Sequence, residues 1–397
     1  MKDLFDKILK RNGRTKGSGR YCWLRALTAS LLILLAGCAG LPAQGGRVSS
    51  TAIAVAADTE LGAAAQQAFL TASAYASAPE LVQASLRSAA PARSGFLPIP
   101  QPSVALDARL TLIRRAQSSL DLQYYLVGDD TIGRLLLREL RDAAERGVRV
   151  RLLIDDFYTA GMDPLLLGLA SYPNMEVRLF NPFVTARSSM AGRLLGMAFD
   201  FDRLNHRMHN KLFLADGAMA IVGGRNMADG YYLPPDMFID FDALAVGPVV
   251  PQLQSIFDLY WNSQPAYEIA SVASSSPAPQ EHREYFEQAV SGLSALPKST
   301  AQTDVFGVPL LSVDLRASLQ NLIWAEASVM SDRPDKLNLR KTPEVMADTV
   351  LHRSPDTQLP ERNSRRGCKT GLSDQTQTGW VELAMAGAAR RGPRAGS

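Results

Sequence analysis

Residues 207–226 read RMHNKLFLADGAMAIVGGRN, and this stretch decides the fold. His209 and Lys211 are two apart, Asp216 follows five residues after the lysine, and Gly223, Gly224 and Asn226 close the segment. The pattern reads as strand, turn, strand, with an apolar run at 219–222. Residues two apart on an extended strand point to one face, so His209 and Lys211 are expected side by side. An imidazole can attack phosphorus or move a proton, and an ammonium holds a phosphate oxygen as a point charge. The Gly-Gly pair is expected to let backbone N–H groups approach a ligand. Asn226 would add an amide donor. Such a set suits phosphoryl chemistry without a metal.

Upstream, apolar spacing predicts a helix over 106–116, a strand over 119–127 and a turn at 128–130. Thr131 is expected to cap a helix over 132–146. A strand over 148–154, a helix over 165–171 and a strand over 175–180 follow. Downstream, a strand is predicted over 238–246 and a helix over 249–261. Strands alternating with helices give an α/β sandwich with a mixed sheet. Asp155 and Asp156 end a predicted strand. They read as a turn and cap rather than a metal or acid pair, since no further carboxylates join them at ligand spacing. Asp121 and Gln123 read likewise. His206 is expected to be a polar residue at strand entry. Arg225 reads equally as a phosphate-binding group or an exposed charge.

The order His209-x-Lys211-x4-Asp216-x6-Gly223-Gly224-x-Asn226 resembles the HKD motif of the phospholipase D superfamily. RMHNK and VGGRN resemble its bacterial cardiolipin synthase C branch, as do DLQYYL, RGVRVRLLIDD and EVRLFNPF. The resemblance implies a phospholipase D-like lobe over 103–265, with the motif at 204–231. It implies that His209, Lys211 and Asp216 are catalytic, that Gly223, Gly224 and Asn226 bind the substrate phosphate, and that Asp240 or Asp242 orients the histidine. His209 would attack phosphorus and form a phosphohistidine, and a second histidine would protonate the leaving alcohol. No cofactor and no metal are implied. The implied substrate is a phospholipid, phosphatidylglycerol or phosphatidylethanolamine, whose phosphatidyl group passes to another lipid or to water.

The sequence holds four histidines, His206, His209, His282 and His352, and only His209 stands in a His-x-Lys. Half a site is therefore expected, completed by a homodimer or by a second lobe in trans. Residues 266–336 read as an interlobe segment and the start of a second lobe. Residues 337–397 show no alternating run and read as a disordered tail, from a frameshift, a truncation or a natural end. Three alternatives stand beside the lipid enzyme: an inactive fragment, a single-motif nuclease working as a homodimer, and a non-catalytic lipid-binding lipoprotein. The likeness of RMHNK and VGGRN to the lipid branch counts against nucleic acid.

The N-terminus adds to this. A basic segment precedes an apolar run at 26–36, too short for a comfortable membrane span. The run ends Leu35-Ala36-Gly37-Cys38, and the whole follows the signal-peptide pattern over 1–38. It resembles a lipobox, which implies lipid attachment at Cys38 and a place in the bacterial cell envelope. Ala39 favours the outer membrane. A buried helix or an uncleaved anchor is the alternative. Residues 39–102, rich in Ala, Ser and Pro, read as a linker with weak helices inside 59–86. The chain has 397 residues, 46% hydrophobic, with net charge +3, so a packed core is available and no basic face announces a nucleic acid. Cys22, Cys38 and Cys368 form neither a disulfide framework nor zinc-site spacing.

Overall fold

A computed structural model describes residues 58–75, 93–184, 187–235, 237–273, 278–293 and 302–334, and the backbone of Val381–Met385. The signal and lipobox expectations at 1–38, Cys38 included, lie outside the described residues.

The elements run α1 (Glu60–Tyr75), β1 (Ser94–Ile99), α2 (Pro102–Arg115), β2 (Ser119–Tyr124), α3 (Thr131–Glu145), β3 (Arg149–Asp155), α4 (Asp163–Ala170) and β4 (Met175–Phe180). Then come α5 (Met190–Phe199), the single turn α6 (Phe201–Leu204), β5 (Leu212–Ala215), β6 (Met219–Gly223), β7 (Asp242–Val246), α7 (Val249–Trp261), β8 (Ala266–Glu268) and α8 (Ile269–Val272). The rest are α9 (Pro279–Ser291), α10 (Leu315–Leu319), β9 (Ile323–Ala325), β10 (Ala327–Ser331) and β11 (Val381–Met385). Nine strands form one sheet in the order β8-β4-β3-β2-β5-β6-β7-β1-β9. The β2–β3 and β3–β4 pairs are parallel and the other pairs antiparallel, so the sheet is mixed as expected.

Alternation explains the layers. Leu120, Leu122, Val150, Leu152, Ile154, Val177 and Leu179 face one side and pack with residues of α2, α3, α4 and α9. Leu153, Phe180, Leu212 and Leu214 face the other side, against Leu253, Phe257 and Trp261 of α7. Each such side chain contributes roughly 1.5–3 kcal/mol on burial. The odd members of this second face are charged. Asp121 and Arg151 are register partners on β2 and β3, joined at 2.7 Å, and Asp258 of α7 completes the pairing at 2.8 Å. Asp121 is thus part of a buried ion pair rather than a turn.

Five expectations need correction. The cap of α3 is Asp130, whose side chain accepts from Gly133 N–H at 2.9 Å, not Thr131. The linker expected over 39–102 contains β1, a strand paired to β7 and β9. Pro98 hid it: β9 reaches only Ser94–Phe96, and an almost-edge strand tolerates a missing donor beyond that point. The predicted strand over 238–246 begins only at Asp242, because Phe238, Ile239 and Phe241 turn outward. The segment 302–334, expected to open a second lobe, sits on the first one: β9 extends the sheet, and Leu310, Leu311, Leu315, Leu319 and Leu322 join its core. Within the tail read as disordered, Val381–Met385 pairs antiparallel with Ala327–Ser331, and the rest lies outside the described residues. Among the described residues no helix is long and apolar enough to cross a membrane.

Candidate active site

The carboxyl ends of β2 and β3 and the start of β5 meet at one end of the central strands. His209 and Lys211 lie there, just before β5. The lysine ammonium is 3.5 Å from His209 Nδ1 and donates to His209 O at 2.8 Å, so the expected side-by-side placement holds. Tyr125, one residue past β2, lays its ring on the imidazole with centroids 3.9 Å apart and planes at 31°. Tyr158 meets Tyr125 edge-on at 5.2 Å. The aromatic wall dries the histidine. Burial, then the Lys211 charge, lowers its pKa to about 4, so the imidazole is neutral and holds a lone pair at neutral pH. Burial also lowers Lys211 to about 8, opposed by Asp240, Asp155 and Asp242.

The segment leading to His209 is held from β3. Asp155, fully buried, accepts from Met208 N–H at 2.7 Å and pairs with Arg207 at 2.9 Å, while capping Phe157 N–H at 2.9 Å. Burial pushes its carboxyl upward, against the pull of Arg207. The cap was legible in the sequence. The grip on Arg207 was not, although two charges that an apolar interior would leave unpaired were its signal. Asp156 turns away into another buried cluster. There it pairs with Arg187 at 2.7 Å and accepts from Phe183 N–H at 2.7 Å.

The remaining motif residues do other work. Asp216 is not brought to His209: it lies past the far end of β5. Its φ of 53° and the 62° of Gly217 make the left-handed pair of an Asp-Gly hairpin turn, closed by Ala218 N–H to Ala215 O at 3.0 Å. Its carboxylate accepts from Gln117, Ser118 and Ser119 N–H at 3.1, 2.8 and 3.0 Å. The catalytic expectation for Asp216 is therefore corrected to a structural one. Asn226 is buried and occupied, accepting from Leu126 N–H at 3.1 Å and donating to Tyr231 Oη at 2.6 Å. It ties β6 to the end of β2, with one of its two amide N–H groups taken up by Tyr231.

The glycines are small for the sake of β7. A Cβ on Gly223 would come within 2.1 Å of Asp242 Oδ1, and one on Gly224 within 1.7 Å of Asp240 Oδ1. Gly224 N–H is already bonded to Phe241 O at 3.0 Å. Both positions are thus kept small by the carboxylates of Asp240 and Asp242 beside them. Asp242 is buried between Arg109 at 2.9 Å and Arg225 at 3.3 Å, and so does not turn to the histidine. Arg225 is fully buried, donating to Ile99 O and Asp240 O, neither exposed nor available to phosphate. Asp240, half-buried, leads the carboxylates that favour the Lys211 charge. His206 is half-buried in the loop after α6, not at a strand. Among the described residues no group of three or more His, Cys, Asp or Glu is placed to hold a metal ion.

Residues 110–233 match the family model described as cardiolipin synthase, PLD-like domain. Cardiolipin synthase C of Escherichia coli (strain K12) is 47% identical over 173 residues, 43% of this chain and 36% of that protein. A cardiolipin synthase of Staphylococcus aureus (strain Mu50) is 33% identical over 157 residues, 38% of this chain and 29% of that one. The chain thus spans well under half the length of these curated relatives. Among solved structures, phosphatidylserine synthase of Haemophilus influenzae Rd KW20 aligns with a TM-score of 0.37 at 15% identity, over 59% of this chain and 48% of that one.

Proposed function

We propose that the phospholipase D-like domain at residues 110–233 transfers or hydrolyses a phosphatidyl group through a phosphohistidine on His209. The observation that carries this reading is the imidazole of His209 held 3.5 Å from the Lys211 ammonium at the carboxyl ends of β2 and β3. The lone pair of His209 attacks phosphorus of a phosphodiester, and the bond from phosphorus to the leaving alcohol oxygen breaks. Lys211 offsets the charge that builds on the non-bridging oxygens. The leaving oxygen takes a proton from a general acid opposite His209. That acid comes from a second motif facing this one, in another copy of the chain or another lobe. The same group then takes the proton of an incoming hydroxyl, whose oxygen attacks phosphorus and frees His209. Asp155 and Tyr125 position the imidazole without touching substrate. The 47% identity with a cardiolipin synthase supports a phospholipid substrate, and we propose phosphatidylglycerol or phosphatidylethanolamine as donor. We propose too that Cys38 is acylated and holds the domain at the bacterial envelope, which labelled palmitate should show and Cys38→Ser should abolish.

The test is a trapped intermediate. Labelled phosphatidylglycerol, quenched on the full chain, should leave acid-labile, base-stable label that His209→Ala removes. Label retained in that variant would sink the mechanism. Faster turnover of a nucleic-acid phosphodiester than of phospholipid would overturn the lipid assignment in favour of the nuclease reading.

A further inference from the structure

Two exposed apolar segments flank the His209 site. The first is the loop before β7, where Ile239 is 104% exposed and Phe238 is 61% exposed, with Phe241 also outward. The second is α5 and the turn after it, where Leu194, Leu195 and Phe201 face solvent. Both connect to the site by contact. Phe238 packs tilted against Tyr231 at 5.0 Å, and Tyr231 holds Asn226. Arg193 of α5 donates to Phe157 O at 3.2 Å, and the adjoining Tyr158 packs on the tyrosine that covers His209.

We infer that these two segments are a docking surface for the hydrocarbon of a lipid layer, which they enter beside His209. The inference rests on the phosphatidyl reading above and adds how the site meets its substrate. Shape favours a lipid layer over a second copy of the chain. Ile239 touches almost nothing of its own protein, and a protruding apolar tip suits a fluid medium, whereas a protein partner must offer a preformed hollow. Charge sets the mode of binding. Among the described residues, Asp200 and Arg203 pair with each other at 2.6 Å, and Asp240 adds a negative charge. Docking is therefore driven by apolar area, not by attraction to anionic headgroups.

A full chain with its three cysteines replaced by serine, and Ile239→Cys carrying a polarity-sensitive fluorophore, tests this. Neutral phosphatidylcholine vesicles should raise the emission about threefold as the label leaves water. The rise should be equal at about 0.1 M and about 0.5 M salt. The same label at Gln288→Cys, on the exposed side of α9, should not respond. No rise at 239, or a rise lost at high salt, overturns the inference. A rise with protein concentration alone would assign the surface to a second copy and overturn it as well. Insertion and phosphohistidine formation are then read together on the labelled protein with His209 intact. Insertion lost while the phosphohistidine still forms refutes this surface alone, and insertion kept while the phosphohistidine is absent refutes only the chemistry.

Discussion

The two ends of β5 are built from one short stretch of sequence and do opposite things. Before the strand, His209 and Lys211 are half-buried, with lone pair and charge held at some electrostatic cost. After it, Asp216 is buried and satisfied by three backbone N–H groups. Spacing in a motif fixes which residues travel together, but four residues of strand span on the order of 13 Å, enough to send them to separate jobs. The first end should tolerate substitution structurally and fail chemically, and the second should do the reverse.

The largest expected effect is that of His209→Ala: no phosphohistidine, with unfolding stability within about 0.5 kcal/mol of the parent in urea titration. A drop of several kcal/mol would erase the contrast. Next comes Asp216→Ala, which strands three N–H groups and places alanine at positive φ. We expect a loss of roughly 3 kcal/mol, with phosphohistidine formation per folded molecule unchanged. Asp216→Asn, which keeps an acceptor and tolerates the left-handed turn, should recover more than half of that loss. Asp155→Asn lies between the two ends, since it loosens the Arg207 pair and the route to His209. It should cost about 2 kcal/mol and slow the phosphohistidine step with little change in substrate affinity.

The smallest effects are those of pH. Phosphohistidine formation should rise as pH passes about 4, where His209 loses its proton, and decline above about 8, where Lys211 loses its own. The folded pKa of His209 lies below its unfolded value of about 6.5. Unfolded chains therefore take up a proton that folded chains refuse, and stability declines as pH falls from there toward 4. His209→Ala should flatten that decline in denaturant titrations at stepped pH.

Much of this was legible from pattern. Met175–Phe180 and Val249–Trp261 fall where alternation and helical spacing put them, because each buries one regular face. The pair His209–Lys211 was legible because period two survives into the loop before β5. The role of Asp216 was not, since an Asp-Gly pair reads as a turn and as a motif member alike, and its donors lie in the loop before β2. Nor were Gly223 and Gly224: a glycine shows that something comes close, not whether it is ligand or carboxylate. Tyr125 looked like one more strand aromatic, and only the start of β5 beside it makes it the cover of the imidazole.

The clamps at either end of β5 have a consequence for how the molecule comes together. Asn226 and Leu126 are 100 residues apart, and Asp216 and Ser119 are 97. Docking the hairpin on β2 therefore closes a loop whose entropy is on the order of 4 kcal/mol. The segments β2–α3–β3–α4–β4 pair neighbours in sequence and can assemble beforehand. The hairpin then joins late, and it carries both clamps. Reactivity at His209 should accordingly emerge in one step near the end of refolding, after most helix signal has returned.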